Sequence, residues 1–434
     1  MTRWGICLAC CCILAIPGIA GDSFPGYTLF APISLTSTFL VDLAGQVVHE
    51  WKSDAPAGNA VYLLPNGHLL RTEAVAPPQG ERQFDRGGAG GRVREIAPDG
   101  HVVWEFVLST AERRLHHDVE PLPNGNVLVI AWEAKTRAQA LSAGRDPRLL
   151  PDGELWPDSL LEVRPIYPTG GEIVWEWHVW DHLVQDRDPR KPDYGVVAEH
   201  PERIDVNYPA AGGSADWNHT NSVAYNPLTD QILVSVREWN EIWVIDHSTT
   251  SAEAAGTEGG RGGRGGDLLG RMGNPAAYGC GSSQDQTLFA QHDAQWIASG
   301  CPGEGNILVF NNGGGDSAAS ESSVDEIALS LVLGTSSDGC PSTIGELVWR
   351  YTAPGFLSQH ISGAQRLPNG NTLICEGDDG RLFEVDAAGG LMWEFVNPFA
   401  TTGPRGIRNE VFKARRYAPE DPGVVSLLAA IGTP

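Results

Sequence analysis

Four stretches of the chain set histidine just ahead of an apolar run: "HHDVEPLPNG" (116–125), "WNHTNSVAYN" (217–226), "QHDAQW" (291–296) and "SQHISGAQRLPNG" (359–370). A further copy of the pattern carries Asn59 at that offset instead. If the four stretches are repeats of one unit, then His116 or His117, His219, His292 and His360 converge on one pocket. Imidazole offers two chemistries there. It ligates zinc, copper or iron, or it serves as nucleophile and general acid–base. Arg237 follows "QILVSV" in the same repeat as His219. A guanidinium stays charged at any working pH. Beside the histidines it disfavours a metal ion and favours a tetrahedral anion such as sulfate or phosphate, which it can grip with several N–H donors.

The elements that would hold these side chains repeat along the whole chain. One phrase is an apolar strand, a glycine turn and an apolar-aromatic strand. It appears as "FLVDLAGQVVHEW" (39–51), "VREIAPDGHVVWEF" (93–106), "LLEVRPIYPTGGEIVWEW" (160–177), "IGELVWRY" (344–351) and "LFEVDAAGGLMWEF" (382–395). A second phrase is "YLLPNGHLL" (62–70), "EPLPNGNVLVI" (120–130), "CPGEGNILVF" (301–310) and "QRLPNGNTLI" (365–374), with a divergent copy at 224–236. Asn-Gly and Asp-Gly supply the positive φ of tight hairpins, and the flanking Val, Ile, Leu and Trp suit strands. No stretch carries a long stripe at helical period, so few helices are expected. A repeat of about four short strands buries neither of its faces alone, and radial stacking solves that. The expectation is an all-β, six-bladed β-propeller, with seven blades as the alternative. The first repeat is incomplete, so the C-terminal tail is expected to finish that blade and close the ring.

Composition narrows the partners. The chain has 434 residues, a net charge of -24 and 41% hydrophobic residues, enough for a large core. Strong acidity argues against nucleic acid or an anionic membrane surface. Residues 1–20 read as a secretory signal peptide, with Arg3 ahead of an apolar run too short to span a bilayer. The expected location is secreted or periplasmic, with residues 21–434 forming a single propeller domain and no membrane contact after cleavage. Low-complexity insertions are expected near 249–270 and 311–326, and an irregular excursion over one rim at 179–208. "GGRGGRGG" lacks the Lys-Ser/Thr and the strand–helix context of a phosphate loop. Beyond the leader remain Cys280, Cys301, Cys340 and Cys375. None has the close CxxC spacing of a structural zinc site; four cysteines allow two disulfides whose pairing the sequence does not fix, with Cys280–Cys301, flanking "QHDAQW", as one candidate.

The blocks "HHDVEPLPNGN", "WNHTNSVAYN" followed by "VSVREWNEIWVID", and "LFAQHDAQW" resemble the arylsulfate sulfotransferases, the bacterial enzymes that use no nucleotide sulfate donor. The resemblance runs through "RNEVFKARRYAP" (408–419). It implies a six-bladed propeller that moves a sulfuryl group from a phenolic sulfate ester to another phenol, ping-pong, through a sulfated histidine, with no cofactor. By motif, it implies His292 as nucleophile, His219 and Arg237 as ligands of the sulfuryl oxygens, and His117 or its neighbour His116 as the remaining histidine. A second histidine would protonate the departing phenolate and deprotonate the acceptor. Asn221 and His360 would face the same pocket, and Trp217, Trp239 and Trp296 are candidates to stack on the phenol. The best-known members carry an N-terminal β-sandwich used in dimer contacts; here the first blade strand is expected soon after the cleavage site, so the resemblance does not extend to that dimer mode. The rival readings are a secreted binding module for glycans or peptides and a histidine-metal lyase or oxidase.

Overall fold

The structure is a computed structural model that describes residues 23–77, 84–209, 214–313, 321–329, 345–403 and 406–432. Its strands form six four-stranded antiparallel sheets. In chain order, the inner strands of blades 2 to 6 are Ala57–Leu63, Arg113–Pro121, Thr220–Asn226, His292–Trp296 and Gly363–Arg366. Val411–Tyr417 is the inner strand of blade 1, paired with Tyr27–Pro32 in the register Tyr27↔Tyr417 and Leu29↔Arg415. The tail therefore supplies the innermost strand of the first blade. Each inner strand touches the next around the whole circle, so the ring is closed with six blades and not seven.

The two sequence phrases have separate structural reasons. The Asn-Gly pairs make the first hairpin of a blade: Gly67 and Gly125 take φ of 80° and 84°, a region open mainly to glycine. The recurrent tryptophan lies on the outermost strand and ties blade to blade. Indole N–H groups of Trp104, Trp349 and Trp393 donate to the carbonyls of Gly170, Ala387 and Leu43 at 2.8, 3.0 and 2.8 Å, each on the following blade. Trp175 does the same to the Thr249 hydroxyl at 3.1 Å. A tryptophan at this position buries its ring between blades and still satisfies its one donor.

The 249–270 insertion is an ordered loop. It opens with a capped helical turn, Ser251–Ala254, and is pinned by the Asp246 carboxylate, which accepts from the Gly262 N–H at 2.6 Å. In the second insertion, 314–320 lie outside the described residues, but Asn311 ends one strand and Ser323–Leu329 is the third strand of blade 5. The 179–208 excursion is anchored by Val179, Leu183, Ile204 and Val206, all buried in the core beneath blades 3 and 4. A C-terminal helix, Pro422–Ile431, packs Val424 and Leu427 against Leu29 and Leu63. Cys301 and Cys375 are free buried thiols while Cys280 is disulfide-bonded, so the Cys280–Cys301 pair does not form. The leader lies outside the described residues. Among the described residues no helix is long and apolar enough to cross a membrane.

Candidate active site

Each histidine sits where an inner strand enters the sheet, and there the strands share an irregularity. The pairing register shifts between Ala57 and Val61, Leu115 and Val119, Thr220 and Ser222, and His292 and Gln295. Within or beside these bulges Asn59, His117, His219 and Asp293 adopt positive φ, from 51° to 115°. A bulge turns side chains away from the regular alternation. Non-glycine residues held in this region carry strain that surrounding contacts must outweigh. Here the strain aims imidazoles at one mouth of the channel.

His117 and His219 meet edge to face, ring centroids 4.6 Å apart. Phe412, from the closing strand, lies between His117 and His292, its ring centroid 6.1 and 6.2 Å from theirs. His116 points the other way. Its ring stacks on Trp132 at 4.1 Å, its Nε2 is 3.2 Å from Asp158, and its Nδ1 shares a proton with Nδ1 of His117 at 2.8 Å. His117 is thus the member of the pair that faces the set. Gly88 closes over it. Its carbonyl accepts from the His117 N–H at 2.8 Å, and a Cβ there would overlap the ring.

Hydrogen bonds orient two of the rings. His219 Nδ1 donates to Asp216 at 2.5 Å, and the other Asp216 oxygen accepts from the Trp132 indole at 2.9 Å. His292 Nδ1 lies 2.8 Å from Oδ1 of Asn312. The Asn312 amide nitrogen already donates to the carbonyls of Ser358 and Ile361, at 2.8 and 3.0 Å. Its oxygen must therefore accept, which places the His292 proton on Nδ1 and the lone pair on Nε2. That lone pair receives the Ile361 N–H at 3.2 Å. Arg237 begins the turn after the second strand of blade 4, its N–H bonded to the His219 carbonyl at 3.3 Å. Its side chain, 27% exposed, pairs among the described residues with the neighbouring Glu238.

Electrostatics divides the rings. Burial, then the positive charge of Arg237, holds the His292 pKa well below its ordinary value. Burial, then His219 and His116, does the same to His117. Burial would depress His219 too, but the charge and hydrogen bond of Asp216 outweigh it and the pKa rises. At neutral pH the mouth holds a neutral His292, whose Nε2 lone pair accepts the Ile361 N–H at 3.2 Å, beside a readily protonated His219 and a permanent guanidinium. Such a set can grip a small oxyanion and present a nitrogen nucleophile to its central atom. Among the described residues no group of three or more His, Cys, Asp or Glu is arranged to hold a metal ion.

The other residues singled out in the sequence differ in what they touch. Asn221 is fully buried, its amide donating to the Gln291 carbonyl at 2.8 Å, while its Oδ1 finds no partner among the described residues. His360 turns outward to Asp378 at 2.6 Å with its side chain 53% exposed, although its charge still reaches His292. Trp217 and Trp239 are enclosed by protein, and the Trp217 indole donates to the Tyr208 carbonyl at 2.9 Å; neither has a face open to a phenol. Trp296 stands at the far end of its strand from His292 and lines a cavity of about 570 Å³ at the opposite mouth, with Tyr62, Glu120 and Arg415. Sequence reasoning missed Asp216, Asn312, Gly88 and Phe412. Asp216 stands three residues before His219, a spacing that reaches a ring nitrogen; Asn312 was hidden by its glycine-rich neighbours.

The profile of the Arylsulfotransferase (ASST) family matches residues 30–387. The chain belongs to the arylsulfotransferase family. No curated protein matches it. Among solved structures it is similar to a protein of unknown function from Bacteroides caccae, at 13% identity over 90% of this chain and 98% of that one, TM-score 0.48. It is also similar to the Cps50 (Swd1) β-propeller domain of Myceliophteria thermophila, at 10% identity over 87% and 88%, TM-score 0.42. Virginiamycin B lyase from Staphylococcus aureus matches at 10% identity over 88% of each chain, TM-score 0.40. Likenesses this distant carry no argument about chemistry. Family membership supports arylsulfotransferase activity in general, with aryl sulfates and phenols as the substrate class.

Proposed function

We propose that this arylsulfotransferase family member moves a sulfuryl group from an aryl sulfate to a phenol by a ping-pong route through His292. The observation that carries this reading is the tautomer fixed by Asn312: a neutral ring with its lone pair on Nε2, which gives up the 3.2 Å bond from the Ile361 N–H as it attacks. In the first half-reaction Nε2 attacks sulfur, an N–S bond forms and the S–O bond to the aryl group breaks. Arg237 and His219 offset the charge of the sulfuryl oxygens, which otherwise repels a nucleophile. The leaving phenolate takes a proton from His219, whose charged form Asp216 favours. In the second half-reaction the acceptor phenol returns its proton to His219 and its oxygen attacks sulfur. The N–S bond breaks and the His292 lone pair is restored. His117, neutral and 4.6 Å from His219, holds that ring without adding a charge to repel it.

Secretion or a periplasmic location belongs to the same reading, since the leader-like start is the sequence feature that supports it. Steady-state kinetics with a chromogenic aryl sulfate and a varied phenol test the route. Parallel double-reciprocal lines are expected. Intersecting lines require both substrates bound together and overturn the covalent intermediate. Dye release that is unaffected by His292→Ala removes the nucleophile.

A further inference from the structure

Below the histidine mouth the channel is closed by buried charge. Lys413, 1% exposed on the closing strand, donates to the Tyr62 hydroxyl at 2.6 Å, to Asp118 at 2.7 Å and to Asp293 at 3.3 Å. An ammonium has three N–H donors, and all three are used. Asp118 also accepts from the Tyr62 hydroxyl at 3.0 Å and from the Val223 N–H at 3.2 Å. Asp293 accepts from Arg415 at 3.3 Å, and Gly363 is packed so tightly on it that a Cβ would overlap the carboxylate. Every inner strand of the ring thus contributes: Tyr62, Asp118, Val223, Asp293 and Gly363 come from one strand each, and Lys413 and Arg415 both from the closing strand. Two cations balance two anions. A third carboxyl, Glu120, has its pKa pushed up to about 8 by burial and then by Asp118, so at neutral pH it stays protonated and the balance holds.

The two carboxylates on Lys413 are the immediate chain neighbours of His117 and His292, inside the bulges that aim those rings. We propose that Lys413 is a positioning residue for sulfuryl transfer: by holding Asp118 and Asp293 on one ammonium it fixes His117 and His292 at a single mouth. The inference rests on the transfer reading above. A bulge with left-handed residues needs outside contacts to persist, and one shared cation ties the bulge of blade 3 to that of blade 5 across the channel. Lys413 and both carboxylates are buried, with side chains 1%, 0% and 2% exposed, so the effect of Lys413 passes through the rings. His292 also feels Arg237, His219 and His360, and His117 feels His219, His116, His292 and Arg237; Lys413 is a further buried cation, bonded to the carboxylates that adjoin both rings in the chain.

Lys413→Met, Lys413→Arg and Tyr62→Phe in the full chain test this. Each is measured for kcat and KM with an aryl sulfate, for the pH profile of kcat/KM, and for the ring titrations of His117 and His292 by NMR. In Lys413→Met a fall in kcat of roughly 10–100-fold with little change in KM is expected, the penalty typical of sub-ångström to ångström misplacement. Its acid limb and both ring titrations move to higher pH, because a cation has left and two carboxylates remain. Lys413→Arg keeps the charge, so its acid limb stays in place while kcat falls. Losing one partner of a buried pair is strongly destabilising; if Lys413→Met does not fold, the other two variants decide. Wild-type kcat, acid limb and ring titrations in the folded variants, with only a lower melting temperature, overturn the proposal. If the wild-type protein transfers no sulfuryl group, the transfer reading falls instead, and the NMR titrations still report whether Lys413 governs the two rings.

Discussion

Asn312 accepts the Nδ1 proton of His292 at 2.8 Å while its own amide nitrogen is bound to the Ser358 and Ile361 carbonyls. One side chain therefore decides which nitrogen of the His292 ring carries the proton and which the lone pair. Asn312→Leu is close in volume but accepts no proton. It leaves the tautomer open and Nδ1 unsatisfied in a buried place. A drop in kcat of about 10²-fold is expected, read from initial rates under saturating donor. Undiminished turnover would mean that the tautomer is set elsewhere.

Asp216 controls the upper edge of the pH profile. The His219 pKa is raised, so its charged form persists above the ordinary histidine range and activity is lost as pH climbs through the raised value. His117 and His292 are depressed, so their neutral forms persist down to low pH and activity is lost only below it. Asp216→Asn removes the charge that lifts His219 while burial and Arg237 still depress it. The alkaline limb of kcat/KM is expected to move to lower pH with the acid limb nearly unchanged. An unchanged alkaline limb would assign it to another group.

Gly88 is needed for the space and the backbone it gives His117. Its φ is +79°, and a Cβ would overlap the imidazole. Gly88→Ala is expected to cost about 1–2 kcal/mol from the left-handed conformation alone, and to lower kcat by pushing His117 off His219. Thermal melting and kcat measured on one sample check both parts.

That loop shows what the sequence did and did not disclose. Hairpin turns and interblade tryptophans are local and repeated, so six blades were legible in spacing alone. His292, His219 and Arg237 were visible because each stands at a fixed offset from a repeated strand. His360 holds the same offset but follows another course: Ile361 and Ser362 take φ of 54° and 87°, and its ring turns out to Asp378. Offset predicts where a residue enters the channel, not which way a strained bulge points it. Gly88 and Lys413 act across blades, and Asn312 acts from the end of the neighbouring strand of the same blade, and no local pattern marks such contacts. Trp296 failed as a pocket residue for a simpler reason: a five-residue strand carries its end to the other mouth.

Trp217 and His360 separate packing from chemistry. Trp217→Phe loses the bond to Tyr208 and the stacking of Arg145 at 5.2 Å. A stability loss of about 1 kcal/mol is expected, with kcat and KM kept. His360→Ala is expected to change kcat by less than about twofold, since surface substitutions away from a site have small effects. A KM that rises in Trp217→Phe would put the indole back against substrate.

The central claim is that one imidazole carries the sulfuryl group between two substrates. Mass analysis of the full protein, exposed to an aryl sulfate with no acceptor and then digested at neutral to alkaline pH, tests it most directly. One added sulfuryl group is expected on the peptide containing His292, discharged when a phenol is supplied and absent in His292→Ala. Turnover at full rate with no sulfated peptide, or sulfation at another residue, would contradict the account.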